Sequence, residues 1–345
     1  MTDKTYLLDF LTQLLNTPSP TGFTDAAVQL TQTWLEAFPQ LTLERTRKGA
    51  LVATWPGKRS DAPRALTAHV DTLGAMVKEI KSNGRLLLTA IGGVAWSTVE
   101  GEGVTVHTRS GATVRGSILV KAASMHVYGR KLNDTPREDA NMEVRLDART
   151  TSPEETRALG IEVGDFVSFD PRVEVTNDFV RSRHLDDKAC VANILAAIKE
   201  LADSGQTPAQ TTTFLISNYE EVGHGGAAGF PANTAELVAV DMAAVGEGQN
   251  SDEFHATLCV KDSGGPYHYG LSMRLRQLAE DNAIPFKTDI YPFYGSDGEA
   301  WWRAGGDAAV ALIGPGVDAS HNYERTHWEA LDATTRWIVA YLLAE

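Results

Sequence analysis

The chain has 345 residues, 43% of them hydrophobic and 22% charged, which excludes a disordered or fibrous protein and leaves room for a sizeable core. Lys and Arg number 31 against 45 Asp and Glu, a formal charge of −14 that argues against a nucleic-acid or anionic-membrane partner. No run approaches the roughly 20 apolar residues of a membrane span. The start of the chain lacks a basic signal segment, and Cys190 and Cys259 make no disulfide framework, so a reducing cytoplasm is expected.

In chain order, Tyr6, Leu7, Phe10, Leu11, Leu14 and Leu15 recur at helical spacing, with Pro18 and Pro20 closing that helix. A second amphipathic helix follows Thr24 and carries Val28, Leu30, Trp34 and Leu35. Residues 41–45 and 51–55 read as a hairpin about Lys48-Gly49, and 64–70 as a buried strand running into Asp71. From 73 to 175 short alternating runs are punctuated by glycine turns, which predicts an inserted β-barrel or sandwich. Helical periodicity returns at 187–203, 271–283 and 328–344, interleaved with strands near 213–217, 237–241 and 308–313. The predicted fold class is α/β: a catalytic domain of residues 1–72 and 176–345, with a mixed central sheet flanked by helices, interrupted by a small β-barrel domain at 73–175.

Polar groups recur at the ends of predicted strands or just after them: His69 with Asp71, Glu220 with Glu221, Asp241, and His321, together with Asp186 and Asp187 at a helix start. In open α/β sheets the ligand crevice lies beyond the carboxyl ends of the strands, so residues far apart in sequence converge there. Two histidines and three carboxylates suffice for two divalent ions if one carboxylate bridges. His69 and Asp71 share a strand face, which would let Asp71 orient the imidazole. Of the pair Glu220-Glu221, one would bind metal and the other act as general base. Acids at a helix start are also ordinary dipole partners, a reading that suits one of Asp186 and Asp187. His327 competes with His321. There is no GxSxG elbow, Walker loop or HExxH.

Together these motifs resemble the tetrahedral aminopeptidases, dinuclear metallopeptidases that include glutamyl, leucyl and lysyl aminopeptidases. Ala68-His69-Val70-Asp71, Leu185-Asp186-Asp187-Lys188, Glu220-Glu221-Val222-Gly223 and Tyr294-Gly295-Ser296-Asp297-Gly298 carry the resemblance in order along nearly the whole chain. It implies two divalent ions per subunit, zinc or cobalt with manganese as a further option, held by His69, Asp186, Glu221, Asp241 and His321, with Asp186 bridging. It implies Glu220 as the general base, with Asp71 also in the catalytic set. It implies short peptides as substrates and a homo-oligomer, a dodecamer. Thr72 and Lys188 depart from the usual acid and arginine, and residues 318–327 lack the usual His-Ser-Pro. The alternatives are a weakly active or non-catalytic binding protein that keeps the fold, and an endoglucanase-type glycoside hydrolase using paired carboxylates.

Overall fold

The computed structural model describes residues 2–345, which divide into two units: residues 2–71 with Arg172–Glu345, and Thr72–Pro171. Asp3 starts the first helix, Lys4–Leu15, by accepting the backbone N–H of Tyr6, and the apolar stripe Leu7, Phe10, Leu11, Leu14 and Leu15 is buried. The hairpin pairs Thr42–Arg45 with Leu51–Trp55 in antiparallel register, and its turn is closed by Gly49 at φ +90°.

At the centre of the larger unit four parallel strands lie side by side: Gln210–Ser217, Arg59–His69, Glu236–Val240 and Ala309–Asp318. Their apolar runs are buried on both faces, as parallel strands covered by helices require. Antiparallel neighbours extend the sheet on both sides, giving thirteen strands of mixed direction among the described residues. The helix Leu185–Asp203 is buried almost throughout from Ala189 to Ile198 and packs against Lys4–Leu15 and Trp328–Leu343. A helix hydrophobic all round belongs inside a protein, which explains its weak amphipathic signal.

Thr72–Pro171 forms a closed six-stranded antiparallel barrel around Val77, Leu88, Val104, Val106, Ile118, Val144 and Val167. Short helices at Met125–Tyr128, Lys131–Asp134 and Pro153–Ala158 decorate it, more helix than the glycine-punctuated sequence suggested. The helix at 153–158 is marked locally by Ser152, which accepts the N–H of Glu155, and by Pro153 in its first turn. The pair Glu174–Thr176 and Phe179–Ser182 belongs to the larger unit's sheet, where Phe179–Ser182 runs against Glu324–His327. Strands Ala256–Asp262 and Phe286–Ile290, absent from the sequence reading, pair with one another in parallel.

Candidate metal centre

The parallel strands deliver their last residues to one edge. His69 ends Arg59–His69 directly opposite Ser217, Asp241 follows Glu236–Val240, and Glu220 and Glu221 begin a helical turn three residues after Ser217. That turn brings both glutamates into one cavity of about 400 Å³, although adjacent residues of a straight strand would face opposite ways. Asp186, Asp241, Met242, Phe293, Tyr294 and His321 line the same cavity.

Asp186 lies between the two histidines. Its Oδ1 is 3.3 Å from His69 Nε2 and its Oδ2 is 3.4 Å from His321 Nε2. Glu221 Oε2 is 3.6 Å from His321 Nε2, and Glu220 Oε2 is 3.7 Å from His69 Nε2. Two donor groups emerge: His69, Asp187 and Asp241, and Asp186, Glu221 and His321, with the ligand atoms of each group within 4.8 Å of one another. His327 lies outside both. It caps the helix Trp328–Leu343 through Glu329 N–H and packs its ring on Phe179 and Phe254.

The orientation of His69 comes from main chain. Its Nδ1 is 2.9 Å from the carbonyl oxygen of Asp71, and the Asp71 carboxylate stands farther off at 3.5 Å. In the neutral imidazole, donation from Nδ1 leaves the lone pair on Nε2, a buried atom with no hydrogen-bond partner. The Asp71 carboxylate instead accepts the backbone N–H of Glu220 at 3.1 Å and of Glu221 at 3.3 Å, and the Thr21 hydroxyl at 2.7 Å. Asp297 grips the following turn, accepting from Gly226 N–H at 2.6 Å and from the Ser217 hydroxyl. A Cβ at Gly226 would fall 2.2 Å from the Asp297 carbonyl oxygen, so the approach requires glycine there.

Crowded carboxylates set the electrostatics. Burial, reinforced by neighbouring acids, pushes Glu220, Glu221 and Asp187 well above the usual carboxylate range, and Asp241 up to about 7. Burial also opposes ionisation of Asp186, but the His321 and His69 imidazoles outweigh it and hold that carboxyl low. The same contacts raise His321 to about 10 against its desolvation. A protein alone gains nothing from gathering acids that resist ionisation together, whereas divalent cations would offset the repulsion.

The donor set fits such ions. Bonds of about 2.1 Å at a tetrahedral angle place two donors roughly 3.4 Å apart, close to the imidazole–carboxylate spacings found here. The orphaned Nε2 of His69 is the atom such a bond would use.

The model of the M42 glutamyl aminopeptidase family matches residues 49–337. "Putative aminopeptidase YhfE" of Bacillus subtilis is 47% identical over 343 residues, covering 99% of each chain. The chain belongs to the M42 family. Its M42 membership makes it a hydrolase acting on peptides and implies the use of divalent metal. The fold agrees: a TET aminopeptidase from the archaeon Thaumarchaeota archaeon SCGC AB-539-E09 superposes with a TM-score of 0.88 at 18% identity, over 97% of this chain and 96% of that one. The TET1 peptidase of Pyrococcus horikoshii, described as assembling into a tetrahedron or a large octahedral shell, gives 0.85 at 22% identity, over 98% and 100%.

The structure gathers His69, Asp186, Glu220, Glu221, Asp241 and His321 at one edge of the sheet, and sets Asp71 behind the glutamates. Sequence reasoning passed over two residues. Asp187, read as a possible dipole partner, accepts His69 N–H through Oδ2 at 3.1 Å and joins the His69 and Asp241 group. Glu324, in the strand before the last helix, accepts the backbone N–H of both Asp186 and His321. The signal available for it was an acid in a short run, Glu324-Arg325-Thr326-His327, too brief to establish a face.

Proposed function

We propose that the protein is a dinuclear, metal-dependent aminopeptidase that removes N-terminal residues from short peptides. The observation that carries this reading is Asp186, with one oxygen 3.3 Å from His69 and the other 3.4 Å from His321. A carboxylate so placed would offer an oxygen to each of two ion positions. His69 and Asp241 would complete one position, backed by Asp187, and Glu221 and His321 the other. When bound, two divalent ions supply Lewis-acid polarisation of the scissile carbonyl and lower the pKa of the attacking water toward neutrality.

The remaining chemistry belongs to the side chains. Glu220 lines the cavity with a carboxyl that burial makes more basic than usual, and it takes the proton from the attacking water and returns it to the leaving amine nitrogen. Asp71 holds the backbone of Glu220 and Glu221, fixing the base relative to the ligands. The carboxylate wall attracts the peptide's α-ammonium group. Beyond it the cavity offers Met242, Phe293 and Tyr294, and among the described residues no Lys or Arg lines it, which favours a neutral, apolar first side chain over an acidic one.

A panel of aminoacyl p-nitroanilides, assayed with zinc, cobalt and manganese and again after chelation, tests this reading. Hydrolysis restored by metal, with leucyl or methionyl above glutamyl substrates, is expected. Rates unaffected by chelation would contradict the metal mechanism, and full metal uptake without turnover would favour a binding protein. We further propose a homo-oligomer, a dodecamer, supported by the shell-forming relatives and read by native mass spectrometry. A cytoplasmic location suits Cys190 and Cys259, both free thiols.

A further inference from the structure

We infer that Glu324 is a positioning residue of the metal centre: its carboxylate fixes the spacing between the backbone of Asp186 and that of His321, and so sets the metal affinity of the Asp186, Glu221 and His321 position. The inference rests on the reading of that position as a metal site.

Glu324 is 2% exposed. Its Oε2 accepts the N–H of Asp186 at 3.1 Å, and its Oε1 accepts the N–H of His321 at 2.9 Å. One rigid carboxylate therefore ties together two chain segments that meet at the site, each through the amide of the residue that offers the ligand atom. Both segments need such a tie. Asp186 stands at a helix start with non-helical backbone angles, where N–H groups lack intrahelical partners. His321 lies in a loop at φ +62°, two residues after Ala319 at φ +57°, a conformation that non-glycine residues hold only when their surroundings impose it.

Glu324 is itself well anchored. It pairs with Ser182 across the antiparallel ladder, while its neighbour Arg325 points the other way and pairs with Glu253 at 2.6 Å. Strand alternation thus separates the two residues: Glu324 faces the site and Arg325 faces away from it. A support that orients ligands in this manner typically alters metal affinity by about 10–100-fold when removed.

Glu324→Gln keeps the shape but turns one acceptor into an NH₂ group facing an N–H. Only one of the two bonds can survive. The test is cobalt(II) titration of the metal-free full chain, followed by visible absorption and calorimetry. Wild type is expected to take two ions, and Glu324→Gln to weaken the affinity of the position that includes His321 by about 10–100-fold and that of the other, which shares only Asp186, by less. His321→Ala should abolish the former, which identifies it. Glu324→Asp, shorter by one methylene, should show the same selective loss to a lesser degree and serves if the Gln variant does not fold. Glu253→Gln, which breaks the neighbouring pair on the same strand, should leave both affinities intact. Unchanged affinities in both Glu324 variants, or an equal selective loss in Glu253→Gln, would overturn the role of Glu324. Wild-type protein that binds no cobalt would overturn the metal-site reading itself and this inference with it, a result distinguishable from the first two.

Discussion

Asp71 holds Glu220 by its main chain: the carboxylate of the one accepts the backbone N–H of the other at 3.1 Å, leaving the Glu220 side chain free to face the cavity. Asp71, two residues past the strand that ends at His69, thereby also sets the turn that carries Glu220 and Glu221 to the cavity.

Asp71→Asn should therefore lower kcat by about 10–100-fold with little change in KM, because it disturbs the placement of Glu220 and Glu221 without altering a group that touches substrate. Steady-state kinetics with a p-nitroanilide checks the split. Thr21→Val, which removes one donor to the same carboxylate, should act in the same direction and more weakly.

Lys188 is fully buried and donates to the carbonyl oxygens of Leu14 at 2.9 Å and Thr17 at 2.8 Å, closing the end of the first helix. Lys188→Met fills the volume but strands the Thr17 carbonyl, since the Leu14 carbonyl still accepts Thr17 N–H at 3.1 Å. Urea unfolding should show a loss of about 1–3 kcal/mol, the cost of one unsatisfied buried acceptor.

Glu299 provides a pH test away from the metal centre. Burial and the adjacent Asp262 raise its carboxyl from 4.5 to about 7. A carboxyl with a raised folded pKa favours the folded state while protonated, so its contribution is present below pH 4.5 and is lost as pH rises toward 7. Glu299→Gln stays neutral throughout. Compared by urea unfolding at pH 5 and pH 8, the variant should gain on wild type at the higher pH, by at most about 3 kcal/mol. The Arg303 partner given up is largely exposed and contributes little.

Gly226→Ala should lower both melting temperature and activity. The added methyl would lie 2.2 Å from the Asp297 carbonyl oxygen, and the turn behind Glu220 and Glu221 must move to admit it. Thermal melts and kinetics on the same preparation check both effects, and an unchanged protein would show that the turn yields freely.

The parts of the site legible in the sequence were those announced by a change of pattern. His69-Val70-Asp71 and Asp241 each end an apolar strand, and Glu220-Glu221 follows one before a glycine-rich stretch; parallel pairing then brings those ends together. Asp187 was ambiguous because an acid at a helix start satisfies the helix by itself. Glu324 was hidden because its role is carried by backbone amides that only the folded chain brings near. Choosing between His321 and His327 needed the structure too: both stand just ahead of the last helix, and the packing of His327 on Phe179 and Phe254 cannot be read from spacing. In the fold, the strand Phe286–Ile290, Phe-Lys-Thr-Asp-Ile, was too polar to register, although Asp289 accepts from Asn250, Ser251 and the Ser251 hydroxyl.

The proposed metal-dependent peptide hydrolysis turns on Glu220 as the group that moves the proton. Glu220→Gln, assayed on leucyl p-nitroanilide beside a cobalt titration, tests it most directly. Two ions bound as in wild type, with kcat lower by about 10²–10⁴-fold, is the predicted result. Full activity with both ions bound would contradict it.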